Sequence, residues 1–211
     1  AALEAAGWVL LPSRQVFLLD DVEQQSLPRR DTRRDDKLWR QGEFAYEELT
    51  KVSVADAERI VDLYGMLYLD KYSHLNPSYT ERFIALTHMI GMIRYLVLRD
   101  RNGIIQGFGG MHHINQHATM PLIGYNTQMK RIHGLYRLAF HAGSLYAARH
   151  KLFFNMSSGA TAFKRNRGAN AEIEFTAFYL RHLPLSRRFP FEILRTAAEH
   201  IGLPILKKYQ L

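Results

Sequence analysis

From Ser53 onward the apolar residues Ile60, Leu63, Tyr64 and Leu67 recur at helical spacing, so they share one face of a helix capped by Ser53. A second such stretch, NPSYTERFIALTHMIG, opens at the Asn76-Pro77-Ser78 turn and stops at Gly91. Beyond Gly91 the period changes. The segment IRYLVLRDRNGIIQGFGGMHHINQHATMPLIGYNT sets apolar runs between turns, the first at Asn102-Gly103, and predicts an antiparallel meander. QMKRIHGLYRLAFHAGSLYAARH returns to helical spacing, KLFFNMS reads as a strand and SGATAFKRNRG as a short helix. AEIEFTAFYL is a further strand, and FPFEILRTAAEHIG a closing helix. Ahead of these, WVLLPSRQVFLL predicts two short strands broken at Pro12-Ser13, FAYEELT predicts one strand, and SLPRRDTRRDDKLWRQG predicts a helix ended by Gly42. The order is mixed α/β, without an internal repeat.

Composition narrows the class. With 211 residues, 47% of them hydrophobic, the chain can bury a substantial core, and no apolar run reaches the roughly 18 to 20 residues that span a bilayer. The start AALEAAGWVL lacks a secretory pattern, which gives a cytoplasmic expectation. Because the chain begins at Ala1 without an initiator methionine, it is expected to be a processed or truncated piece of something longer. The absence of cysteine removes disulfides, thiolate nucleophiles and cysteine-based zinc sites. A net charge of +8 favours an anionic partner: nucleotide, coenzyme, tRNA or acidic surface.

The most informative join lies between the third meander strand and the helix after it. RIHGLY, comprising Arg131, Ile132, His133, Gly134, Leu135 and Tyr136, places a basic residue and a glycine at a helix start, where unpaired N–H groups and the dipole attract an anion. Such a start would receive a pyrophosphate, though an ordinary helix start reads the same way. Glu172 and Glu174 alternate along their strand and point to one face, so each is a candidate base, with Tyr179 a candidate proton donor. Adjacent His112 and His113 point to opposite faces of a strand and do not share a metal ion; either is a further candidate base, and no metal site is expected. NMSSGATAFKRNRG lacks the second glycine and the hydroxyl that a Walker loop needs around its lysine, and SSG lacks the elbow of a serine hydrolase. On these residues alone, Arg29 to Arg40 with Lys164 to Arg167 also permit a noncatalytic RNA-binding surface. Only Trp39 and Phe163 are interleaved with them for base stacking.

The order of these motifs resembles the GNAT acyltransferase superfamily, and within it the C-terminal GNAT-type domain of the Fem peptidoglycan aminoacyltransferases and related FemAB-like proteins. PLIGYNT followed by Arg131 and Gly134 is similar to the coenzyme A loop pattern Q/R-x-x-G-x-G/A, with Tyr136 in place of the final small residue. Phe163-Lys164 resembles the F-K pair of Fem-like proteins. The resemblance implies a mixed, largely antiparallel and splayed sheet flanked by helices. It implies a GNAT-like domain over residues 29–211, with residues 1–28 closing a preceding GNAT-like domain. It also implies transfer of an acyl group from acyl-CoA, acetyl-CoA or a carrier-protein thioester to a small-molecule or peptide amine; aminoacyl-tRNA is the alternative donor. In that setting Lys164 would stabilise negative charge, and Asn155 and Ser157 would offer hydrogen bonds near the reacting carbonyl.

Overall fold

In the computed structural model, residues 2–205 are described. The chain opens with α1 (Ala2–Ala5), β1 (Trp8–Leu19), α2 (Val22–Gln25), α3 (Arg30–Arg40) and β2 (Ala45–Glu48). Then come α4 (Val54–Gly65), which runs into a π turn at Met66–Asp70, α5 (Glu81–Met89), and the meander β3 (Arg94–Arg99), β4 (Ile105–Ile114) and β5 (His117–Tyr125). A 3-10 turn at Arg131–His133 leads to α6 (Leu135–Arg149), β6 (Phe153–Asn155), α7 (Thr161–Asn166), β7 (Asn170–Tyr179) and α8 (Leu185–Ala197). The chain forms two compact units. The larger holds residues 19–155 and 166–168, and the smaller holds 2–18, 156–165 and 169–205.

In the larger unit the strand order is β2-β3-β4-β5-β6, antiparallel except for the parallel β5/β6 pair. β4 is buried from Ile105 to Met111 because helices cover both faces of the sheet, and its alternating residues divide between them. Toward α4, the buried cluster joins Phe108, Leu122, Tyr95 and Val97 to Ile60 and Leu63. Toward α6, Gly109 lets Met120 approach, while Gly143 of α6 leaves room for Met111, Met120 and Phe154. Gly124 of β5 is needed by the α4 contact: a Cβ there would lie 2.7 Å from the Leu63 carbonyl carbon and 2.8 Å from its oxygen. The Ser53 side chain accepts from the Asp56 N–H, and Asp56 accepts in return from the Ser53 N–H, which closes a capping box at the start of α4.

In the smaller unit β1 pairs antiparallel with β7 from Trp8↔Tyr179 to Leu18↔Asn170. Here the expectation of two strands is corrected. Residues 8–19 form one strand, because a register shift between Pro12 and Arg14 absorbs the proline that lacks a ladder N–H. Among the described residues no helix is long and apolar enough to cross a membrane.

Candidate active site

β6 is registered with β5 only at His117↔Phe153, Ala118↔Phe154 and Thr119↔Asn155. β5 then continues from Met120 to Tyr125 beyond the end of β6 at Asn155. Inside the larger unit, that stretch of β5 keeps β4 on one side, and its Met120, Leu122, Ile123 and Gly124 are buried.

The strand ends in a turn fixed by Asn126, whose N–H and side-chain amide donate to the Gln106 carbonyl and to Gln106 Oε1, each at 2.9 Å. After the 3-10 turn, Gly134 takes the left-handed conformation, φ 63°, and caps α6. Two features exclude a side chain here: the positive φ, and Leu38, whose Cδ2 would lie 2.5 Å from an added Cβ. The first N–H groups of α6 follow directly, at Leu135, Tyr136 and Arg137, carrying the positive end of the helix dipole.

Individual positions of RIHGLY serve different ends. Arg131 and Ile132 are exposed. His133 Nδ1 meets Glu43 Oε1 at 2.5 Å and its ring stands edge-on to Phe44. Leu135 is a core residue. The Tyr136 ring is drawn onto Phe140, centroids 4.9 Å apart, and toward Tyr125 at 6.2 Å; burial pushes its phenol up, helped by the nearby Tyr68, Tyr72 and Tyr125.

The remaining expected residues are distributed over both units. In the larger unit, His112 Nδ1 donates to the Met92 carbonyl at 2.7 Å, which fixes its tautomer. His113 Nδ1 is 2.9 Å from Tyr146 Oη. Burial, then the neighbouring His150 and Arg94, hold the His113 imidazole below its ordinary range. Both histidines pair near Thr119, roughly 20 Å along β5 from Tyr125 at strand rise, so they do not join the RIHGLY turn. Asn155 ends β6 opposite Thr119. In the smaller unit, Glu174 is ion-paired with Arg14, Glu172 is exposed opposite Val16, and Tyr179 packs its ring against Trp8.

Lys164 is 2% exposed. Its ammonium donates to the carbonyls of Ser157 at 3.1 Å and Ser158 at 2.6 Å and sits over the Phe17 ring. Burial, reinforced by Arg14, lowers it to about 8. The Ser157 carbonyl also accepts the Phe17 N–H, which ties the exit turn to β1. Among the described residues no group of three or more histidines and carboxylates is placed to hold a metal ion.

Sequence reasoning missed a second set. Asp35, 1% exposed, accepts from Arg137 Nε at 2.6 Å and from Arg167 Nε at 2.7 Å, joining α3, the first turn of α6 and residues 166–168. Of the run Lys164 to Arg167 offered as an RNA-binding surface, Arg165 is exposed whereas Arg167 is buried. A carboxylate amid an arginine run is the signal that was there to find, since acids on such a helix pair outward or inward according to a face that the charge pattern alone does not show. His141 is also buried. Among the described residues neither of its ring nitrogens has a hydrogen-bond partner, and Asp36 Oδ1 stands 3.8 Å from Nε2, too far for one. Burial keeps this imidazole below its ordinary range.

No protein-family model and no curated protein sequence matches the chain. Solved structures do. FemX superposes with a TM-score of 0.67 at 9% identity, over 90% of this chain and 69% of that one. The C-terminal domain of a putative lysylphosphatidylglycerol synthetase from Agrobacterium fabrum gives 0.62 at 15% identity, over 83% and 63%. The GCN5-related glucosamine N-acetyltransferase region of a fungal multi-domain β-N-acetylglucosaminidase gives 0.51 at 10% identity, over 84% and 22%. The chain therefore spans 63% of the length of the synthetase domain it matches. Likenesses at this identity establish the architecture: the chain has a Fem-like GNAT fold, a mixed and largely antiparallel sheet flanked by helices.

Proposed function

We propose that the protein is an N-acyltransferase that moves an acyl group from an acyl-CoA or carrier-protein thioester to an amine. The observation that carries this reading is that β5 runs on past the end of its β6 register at Thr119 and leads to left-handed Gly134 and the first turn of α6. An extended pantetheine arm would run along β5 beyond that register, and a pyrophosphate would meet the N–H groups of Leu135, Tyr136 and Arg137. The thioester supplies an activated carbonyl. The acceptor nitrogen, once deprotonated, forms a C–N bond as the C–S bond breaks, and the thiolate leaves with the proton that the amine gives up.

Tyr136 replaces the small residue of the coenzyme A loop, yet its ring packs toward Phe140 and Tyr125. This packing favours the thioester donor over aminoacyl-tRNA, because the bulk lies within the protein. The test is mass spectrometry of reactions with a panel of acyl-CoA and aminoacyl-tRNA donors, together with thermal shift by each donor. Acylated amine and a stabilising shift are expected with thioesters. No shift and no product with any thioester overturns the reading, and product from aminoacyl-tRNA alone replaces the donor.

A further inference from the structure

Between the residues that follow β2, the last turn of α5 and the start of β3 lies a cavity of about 490 Å³. The Leu49 N–H donates to the Tyr95 carbonyl at 3.0 Å and so ties the chain after β2 to β3. The cavity belongs wholly to the larger unit. Arg94, in its wall, pairs with Met111, whereas Tyr125, which leads to Gly134, pairs with Gly107. At strand rise those two positions of β4 lie roughly 13 Å apart, so the cavity is separate from the first turn of α6.

Its charge is of one sign. Lys51 and Arg94 line it, both exposed and, among the described residues, without an ion pair; no carboxylate lines it with them. His88 lines it too. That residue is 8% exposed, and its Nδ1 has no hydrogen-bond partner among the described residues, a cost to the fold that a ligand is able to offset. The last carbonyls of α5 would repel an anion, but they are occupied: those of Leu86, Thr87 and His88 accept the N–H groups of Ile90, Met92 and Gly91. Val52, Ala85 and Met89 add an apolar wall. Two unpaired positive charges and an imidazole match a doubly charged oxyanion, and the wall matches a body that leaves water readily. We infer that the cavity binds a phosphate monoester carried on a short apolar body. Arg94 and Lys51 clasp the phosphate, His88 hydrogen-bonds to it, and the body lies against Val52, Ala85 and Met89. This site is additional to the donor site and stands whether or not the chain transfers acyl groups.

The experiment is a calorimetric titration with phenyl phosphate, compared with benzoate, inorganic phosphate and benzyl alcohol. Wild type is set beside Arg94→Ala, Lys51→Ala and Arg131→Ala; all three side chains are exposed, so each variant keeps the fold. Arg94→Ala is expected to weaken phenyl phosphate about tenfold, the lower range for hydrogen bonds to a charged group, and Lys51→Ala about fivefold, since its ammonium is a flexible point charge. Arg131→Ala, at the α6 turn, is expected to change nothing. Benzoate and inorganic phosphate are expected to bind more weakly than the ester, and benzyl alcohol not to bind. Absence of saturable binding, or binding that Arg94→Ala and Lys51→Ala leave unchanged, overturns the site. Benzoate binding as tightly as the ester overturns the phosphate assignment, and loss of binding in Arg131→Ala moves the ester to the α6 turn and overturns the inference. The His88 ring resonances, identified by their absence in His88→Gln, are expected to shift on saturation; an unmoved ring overturns the part given to His88.

Discussion

Asp35→Asn keeps the shape of the side chain and removes its charge, which tests whether the buried carboxylate organises the first turn of α6. In the native protein Asp35 is 1% exposed, Arg167 7% and Arg137 40% by side chain. On loss of the carboxylate charge Arg137 regains water, whereas Arg167 keeps a buried guanidinium with its counter-charge gone. Breaking a buried pair costs about 3 to 5 kcal/mol, and the partial exposure of Arg137 puts this case near the lower end, about 3 kcal/mol. For a chain of this size that corresponds to a melting temperature lower by about 6 to 12 °C. Urea unfolding followed by circular dichroism, at low and high salt, measures it. Because the pair is buried, added salt leaves the difference unchanged. A loss below about 1 kcal/mol, or one that salt abolishes, refutes the claim that Asp35 holds α3 to α6.

Three further outcomes follow from other positions. Gly124→Ala drives a Cβ into the Leu63 main chain, 2.7 Å away, and is expected to destabilise by about 1 to 3 kcal/mol in chemical denaturation. Lys164 is depressed to about 8 from an ordinary 10.5, so the unfolded chain binds more protons between those values and stability rises with pH across that window. The gain reaches up to about 3 kcal/mol and is expected to vanish in Lys164→Met, as a pH series of urea midpoints reads directly. His141 is likewise depressed by burial, so its contribution to stability falls as pH drops below the ordinary imidazole range. His141→Leu, which removes two unpaired buried nitrogens, is expected to be neutral or to stabilise by about 1 kcal/mol at pH 7 and to flatten the acid limb of the melting curve.

Much of the fold was legible because the chain announces its periods. Ser53 with Asp56, the Asn102-Gly103 turn and the glycine-rich β4 each act locally, and local signals survive in a one-dimensional reading. The Pro12-Ser13 break was misread because a bulge against β7, a partner about 160 residues away, keeps the strand whole. Lys164 is hidden in part by a distant partner too, the Phe17 ring. Its neighbours in sequence are basic and polar, yet folding places its ammonium on the Ser157 and Ser158 carbonyls over the Phe17 ring.

For the site, the sequence by itself determined Gly134 and the helix start after it, since a left-handed cap has a residue preference of its own. It also determined the net positive charge and the exclusion of thiol chemistry. Only the tertiary structure decided that β5 outruns β6 at Thr119, because the length of a pairing depends on where a neighbour ends its register. Only the tertiary structure brought Tyr125 to Lys71, and turned Asp35 inward to Arg137 and Arg167. Those groups meet across elements far apart in the chain, and contact at such range is fixed by packing, which no periodicity encodes.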